Sequence, residues 1–370
     1  MVNSHTPDTP GVNSNESFKV MRVAWFPKAS DLTGNPYWYC LQSELEAIGV
    51  EFETTHAGYW MTRRWLLANR NSVDVLHFHF IQPQYAVAER ASFRRLMKFV
   101  SYLLVARLLG YRIVWTVHDL TPTWPKEPAW VERLARYSIA WLAHDVIVHC
   151  QKARCLVRRH FRRWWRVHVF PLPSYINAHP NDMSRSAARA LLGLPMDRRV
   201  IGFIGGIRPN KGLEDLIDAF ELAKVDHTLL LIAGRPWQPE SYVEDLQQLA
   251  DANPRILLDV REIPDEEMQL YLNAADVLAF PFRHVLTSSS VILAMSFARP
   301  VIAPRLGCLP ELVGKDAGYI YEPGDVGGLA MIIEQTAGDD LVTMGVFASQ
   351  RVSGYTWGDL AAATAQVYMK

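Results

Sequence analysis

Arg208 and Lys211 stand three residues apart, just after Gly205-Gly206 and just before Leu213, Leu216, Ile217 and Phe220, which have helical spacing. Ahead of the glycines, Val200, Ile201, Phe203 and Ile204 read as a buried strand. Two cations beside a glycine turn that enters a helix form an anion cradle. Free backbone N–H groups and the positive end of the helix dipole point to the same place. The same residues also suit an ordinary strand-to-helix loop with solvated charges. Two further loops bear on that choice. Arg283 precedes Thr287-Ser288-Ser289-Ser290, hydroxyls that are common helix N-caps and can equally donate to an anion. Arg261-Glu262-Ile263-Pro264 is the third loop. Together these donor-rich loops suit a diphosphate, which needs cations at two sets of oxygens and no covalent chemistry from the protein.

Short apolar strands alternating with helices must position these loops. In the first half the pattern predicts strands over 20–26, 50–54, 74–80, 112–117 and 145–149, with helices over 37–48, 93–109 and 130–143. In the second half it predicts strands over 199–204, 228–233, 255–260, 276–280 and 300–303, again with helices between. Such alternation describes parallel α/β sheets covered on both faces, whose ligands sit beyond the carboxyl ends of the strands. Gly34, Asn35, His79 and the pair His118-Asp119 map to that rim in the first half. The alternation pauses from Pro171-Leu172-Pro173 to about Ser186, which sets a domain boundary. The expected organisation is a loose tail (1–17), a first Rossmann-like domain (18–180), a second (187–350) and a helical tail (351–370) returning to the first. A length of 370 residues agrees with two domains.

Composition narrows the class. Hydrophobic content of 49% and charged content of 21% are those of a globular protein. Zero formal net charge gives no argument for nucleic acid. Cys40, Cys150, Cys155 and Cys308 form no CxxC pair, which fits a reducing compartment and argues against a cysteine-rich zinc site. His77 and His79 alternate on one strand and lack a third metal ligand, so packing is the expected role of the pair and no metal is expected. The first 17 residues lack the apolar core of a signal peptide, and no apolar run is long enough to span a bilayer, which takes about 18 residues. A cytoplasmic protein is expected, with peripheral contact to the inner face of the plasma membrane. The basis is the stretch 151–169, which holds seven Lys/Arg, no acid, and Trp164-Trp165. Arg158, Arg159, Arg162 and Arg163 interleaved with aromatics suit an anionic lipid surface, joined by Arg94, Arg95 and Lys98 of the 93–109 helix.

The ordered set GGIRPNKG, a strand ending in AGR, IPDEEM, then FPFRHVLTSSS and ILAMSFARPVIAP resembles the nucleotide-sugar half of GT-B glycosyltransferases. DVLHFHF, WTVHDL and GNPY extend the likeness over nearly the whole chain, with bacterial exopolysaccharide β-mannosyltransferases of xanthan-type assembly as its nearest form. The resemblance implies two Rossmann-like domains facing a cleft, generally with no catalytic metal. The second domain would hold a nucleotide diphosphate sugar, with Arg208, Lys211 and Gly206 at the diphosphate, Glu262 and Ile263 against the base, and Arg283 with Thr287 to Ser290 near the phosphates. The first domain would receive a polyprenyl-diphosphate-linked saccharide, with Gly34, Asn35 and His79 on the acceptor side. Retaining relatives carry two glutamates eight residues apart where this chain has Val285 and Leu293, which favours inversion. Inversion needs a general base for the acceptor hydroxyl, and Asp119, directly or through His118, is the candidate. Capping for Asp119 and packing for His118 are the competing roles. GDP-mannose follows from the nearest likeness; UDP-glucose or UDP-glucuronate, an epimerase of the same fold, and a non-catalytic nucleotide-sugar-binding subunit stay open.

Overall fold

A strand that is apolar along its whole length belongs inside a parallel sheet, where helices cover both faces. Thr228–Gly234, buried at every residue and apolar from Leu229 onward, is such a strand. The computed structural model describes residues 20–28, 36–53, 60–87, 90–121, 128–237 and 240–370. Within them the chain folds into two parallel six-stranded sheets, each layered with helices.

The first sheet comprises β1 (Met21–Phe26), β2 (Val50–Phe52), β3 (Val75–Phe78), β4 (Arg112–Thr116), β5 (Asp145–Val148) and β6 (Val167–Val169). Their order is β2-β1-β3-β4-β5-β6. The second comprises β7 (Arg199–Ile204), β8 (Thr228–Gly234), β9 (Ile256–Val260), β10 (Val277–Ala279), β11 (Val301–Pro304) and β12 (Gly318–Tyr321), ordered β9-β8-β7-β10-β11-β12. In each sheet the winding reverses direction once, beside β1 and β3 in the first and β7 and β10 in the second. A crevice opens at such a switch point beyond the carboxyl ends of the strands. The loops that follow β3, β4, β7 and β10 are among those singled out by their chemistry, while the loop 261–264 follows the edge strand β9.

A buried carboxylate fixes the far edge of the first sheet. Asp145 at the start of β5 is fully buried and accepts from Arg166 Nε at 2.8 Å and His168 Nε2 at 2.8 Å. Burial alone would raise its carboxyl; bonds from His168 and Arg166 and the Arg112 charge pull it down to about 2.

The last helix, Trp357–Met369, packs on the helix Tyr37–Ala47 of the first domain and completes a core with Val23, Trp25, Val75 and Val114. Its Tyr368 hydroxyl is 3.2 Å from Trp25 Nε1 and 2.6 Å from His77 Nδ1, and His77 Nε2 lies 2.8 Å from Thr116 Oγ1. Both nitrogens of His77 are therefore paired, and burial pushes its pKa down to about 3, as a packing histidine requires.

The stretch 151–169 forms a helix, Gln151–Phe161, followed by β6. One expectation changes: the cysteines read as those of a reducing compartment, yet Cys150 and Cys308, 158 residues apart and in different domains, form a disulfide with Cα atoms 5.8 Å apart. Each stands at the N-terminal boundary of a helix, where the two domains touch, so nothing in their sequence spacing announces the bond. Beside it, the Glu311 carboxylate of the second domain accepts from the Gln151 and Lys152 N–H groups, both at 3.2 Å. A second-domain anion thus sits on a first-domain helix N-terminus, where the dipole favours it.

Candidate active site

Between the sheets lie two adjoining cavities of about 550 and 210 Å³. Tyr175, Ser289 and Ser290 line both. The larger is bounded by Gly205, Gly206, Arg235, Trp237, Glu262 and Ile263, all from the second domain's loops. Arg208, Lys211, His118, Asp119, Thr287 and Ser288 bound the smaller. The cradle after β7 and the His-Asp pair after β4 thus meet in one cleft.

The cradle's geometry depends on Gly212, which has φ of +67° and whose Cβ, if present, would lie 2.3 Å from the Pro281 carbonyl oxygen. That close approach sets the β7 loop against the β10 loop, and the Arg283 N–H donates to the Asn210 carbonyl at 3.1 Å. Lys211 places its ammonium 4.3 Å from the Phe282 ring centre. Burial, together with the neighbouring Arg208 charge, pushes its pKa down to about 7, against the opposite pull of Asp119. Arg208 stacks 5.6 Å from the Trp237 ring centre, and its Nε is buried without a partner. Two cations held close together in a partly dry cleft need an anion.

Asp119 faces them from the first domain. Burial raises its pKa, opposed by the charges of Arg136, Arg208 and Lys211. Its backbone carbonyl accepts from Arg136 Nη1 at 2.6 Å, and the His118 carbonyl accepts from Thr287 Oγ1 at 3.3 Å. The His-Asp peptide is therefore fixed from both domains. His118 Nε2 lies 3.2 Å from His79 Nδ1, and burial holds both imidazoles well below their usual range. A neutral, buried His118 is a poor place to deposit a proton; the Asp119 carboxylate is the better one.

Arg283 and His79 stand away from the cleft, and other expected residues are held by further contacts. Arg283 does not reach the cleft: it pairs with Glu214 at 3.0 Å and Asp215 at 2.8 Å. Acids in the first turn suit the dipole of the helix Leu213–Leu222, and here they also capture the arginine. His79 lines neither cavity; walled by Trp25, Tyr37 and Trp38, it supports His118 from below. Ser288 accepts from the Val291 N–H at 3.3 Å and is the N-cap of Ser289–Ser296. Gly34 and Asn35 lie outside the described residues. Glu262 stands at the cavity rim, 3.4 Å from Arg235. Val285 lines the smaller cavity and Leu293 the larger.

Tyr175, Asn210 and Trp237 escaped the sequence reading. The Tyr175 hydroxyl and Asn210 Oδ1 are buried without partners, and both residues line the cleft. An aromatic residue in a proline-flanked interdomain segment was the available signal for Tyr175.

The basic face divides. Arg94, Lys98, Arg159 and Arg162 are exposed, and Arg95 and Arg158 are half-buried; Arg95 stacks 5.3 Å from the Trp60 ring centre. Arg163 is a correction: 1% exposed, it donates to the Ala143 and His144 carbonyls at 3.1 and 2.8 Å. Trp164 and Trp165 are exposed. Trp165 meets Trp141 with ring centres 5.1 Å apart, and Trp130, at the other end of the same helix (Ala129–Leu142), meets Phe93 at 5.5 Å. Trp130 and Trp141 lie eleven positions apart on that helix, about 16 Å along its axis. Among the described residues no helix is long and apolar enough to cross a membrane, and no cluster of three metal-ligating side chains occurs.

Comparison with known proteins bears on the family and the fold. Residues 198–339 match the family described as glycosyl transferases group 1. The chain is similar to a D-inositol 3-phosphate glycosyltransferase of Corynebacterium efficiens, 30% identical over 51% of this chain and 46% of the relative. It therefore spans about half the length of that relative. It is also similar to a GDP-mannose:glycolipid 4-beta-D-mannosyltransferase of Xanthomonas campestris pv. campestris, 26% identical over 67% of each chain. Its fold matches a sucrose-phosphate synthase from Thermosynechococcus elongatus with a TM-score of 0.76 and 19% identity, covering 94% of this chain and 98% of that one. The fold is GT-B, and the chain resembles glycosyltransferases of group 1.

Proposed function

We propose that the protein transfers a hexosyl unit, with inversion, from a nucleoside diphosphate sugar to a lipid-linked saccharide at a membrane surface. The observation that carries this reading is the convergence of Arg208 and Lys211 with Asp119 on one interdomain cavity. In this reading the diphosphate lies on the two cations, and the base and ribose occupy the larger cavity beside Ile263 and Glu262. The acceptor hydroxyl gives its proton to Asp119 as its oxygen bonds the anomeric carbon. The bond from that carbon to the diphosphate breaks, and the electron pair leaves with the nucleotide. Burial that raises the Asp119 pKa brings the base nearer to neutral pH, where general-base catalysis is most effective. Apolar Val285 and Leu293 facing the cavities support inversion, since neither can make the sugar contacts of the glutamate pair. The named Xanthomonas relative supports GDP-mannose as the donor and a glycolipid as the acceptor; an exopolysaccharide role is part of the same proposal. The exposed aromatic ridge among arginines supports peripheral docking on anionic lipid. Charge on the leaving group is assigned to Arg208 and Lys211 rather than to a metal.

A thermal-shift panel of GDP, UDP and ADP with their sugars tests the donor half, because ligand that binds only the folded state raises apparent stability. One nucleoside diphosphate should stabilise the protein and lose that effect in Lys211→Ala. No shift from any of them would reject the reading.

A further inference from the structure

The bond between Cys150 and Cys308 is a third covalent crossing between the domains. The chain itself crosses twice, between β6 and Tyr175 and again between the helices Leu341–Ser353 and Trp357–Met369. Two crossings leave a hinge on which domains can open around a ligand, and a third link holds that hinge.

The link stands directly behind the cleft. Cys308 donates its N–H to the Leu286 carbonyl at 2.8 Å, and the adjoining Thr287 Oγ1 donates to the His118 carbonyl. Cys150 follows His149, whose ring centre lies 5.5 Å from that of His118. Each half of the bond is therefore coupled to His118, one through the second domain and one through the first.

The sulfurs are not sealed. Both cysteines are buried, yet both line a cavity of about 380 Å³ with Gln151, Pro171, Glu311 and Arg351, which is room for a small dithiol. The two sulfurs also differ. Cys150 is the N-cap of the helix Gln151–Phe161 and its Sγ accepts from the Ala153 N–H at 3.2 Å, whereas Cys308 makes no such bond. A helix N-terminus stabilises a thiolate, so Cys150 is the better leaving group. The Glu311 carboxylate opposes this from the Gln151 and Lys152 N–H groups, but the Ala153 donor stays with the sulfur.

We infer that Cys150–Cys308 is a reversible redox latch: oxidised, it holds the two domains closed on the cleft; reduced, it lets them open. A dithiol supplies the two electrons. Its thiolate attacks Cys308 Sγ, the S–S bond breaks, and Cys150 leaves as the thiolate. The reductant's second sulfur then displaces Cys308 from the mixed disulfide. The two protons of the reductant end on the two cysteines, and the reductant leaves as its own disulfide. Lasting disulfides are rare in a reducing compartment, and those that form there are usually transient and redox-sensing. The inference rests on the transferase reading only for what opening releases, a nucleoside diphosphate.

The test compares the oxidised full chain with the same protein treated with dithiothreitol in the absence of denaturant. Alkylation after an acid quench and unfolding should modify Cys40 and Cys155 before that treatment and all four cysteines after it. Whichever of GDP, UDP and ADP binds should leave the reduced protein about tenfold faster in stopped-flow measurements. Cys308→Ser, with Cys150→Ser as the second variant, should release it at the fast rate in either redox state. A bond that resists dithiothreitol in the folded protein, or equal release from both forms, would overturn the inference and leave the donor reading standing. If none of the three nucleotides binds, the transferase reading fails and small-angle scattering decides the latch. A larger radius of gyration on reduction upholds it, and an unchanged one overturns it.

Discussion

At Lys211 an ammonium is held among Phe282, Arg208 and the cleft wall, where little water can solvate it. With its pKa near 7, the free protein carries this lysine partly neutral at physiological pH, and a bound diphosphate must draw a proton onto it. The sign follows from that: the anion favours the charged form, so affinity for the nucleoside diphosphate should fall as pH rises through 7. The limiting slope is about tenfold per pH unit. Calorimetry in buffers of different ionisation enthalpy should show proton uptake on binding near pH 7.5, absent in Lys211→Met. The cradle residues could be read from sequence because glycines, cations and a helix start coincide there. Arg283 could not, because its destination was decided by Glu214 and Asp215, whose own placement answers the helix dipole. His79 misled for a similar reason: a strand-end histidine looks ligand-facing until Trp25, Tyr37 and Trp38 are seen around it.

Among the elements, the helix Gln151–Phe161 joins chemistry to surface. Its end is set by Arg162 in the left-handed region, at φ of 51°, after which the chain turns Arg163 inward and Trp164 outward. A charge run read from sequence has no inside or outside; that turn supplies one. Two substitutions should separate the roles. Trp164→Ser with Trp165→Ser should cut binding to vesicles of 3:1 phosphatidylcholine and phosphatidylglycerol severalfold in a sedimentation assay, with the melting temperature unchanged. Arg163→Ala should leave vesicle binding in place but lower stability by about 1–3 kcal/mol, since two buried carbonyls lose their donor. The strands are the opposite case. Apolar runs such as Thr228–Gly234 declare themselves, because a doubly covered strand has no polar face to confuse with a loop.

For the whole molecule, the proposed active site and the disulfide both lie where the domains touch. The disulfide Cys150–Cys308 closes a loop of 158 residues, and chain-entropy arguments give such a link roughly 4–5 kcal/mol. Cys308→Ser, or reduction with dithiothreitol, should therefore lower the unfolding free energy by about 2–5 kcal/mol, whereas substituting the exposed free Cys155 should change nothing measurable. Denaturant titration reads both. The pairing was invisible in sequence because it depends on how two separately folded sheets dock. So did the meeting of Asp119 with Lys211, whose separate loops were each legible. That meeting is measured most directly by Asp119→Asn, scored for both nucleoside diphosphate affinity and glycosyl transfer. Affinity should stay within about threefold while the transfer rate falls by a factor of about 10²–10⁴, the range expected for loss of a general base. A variant that transfers at near the parent rate would contradict the account.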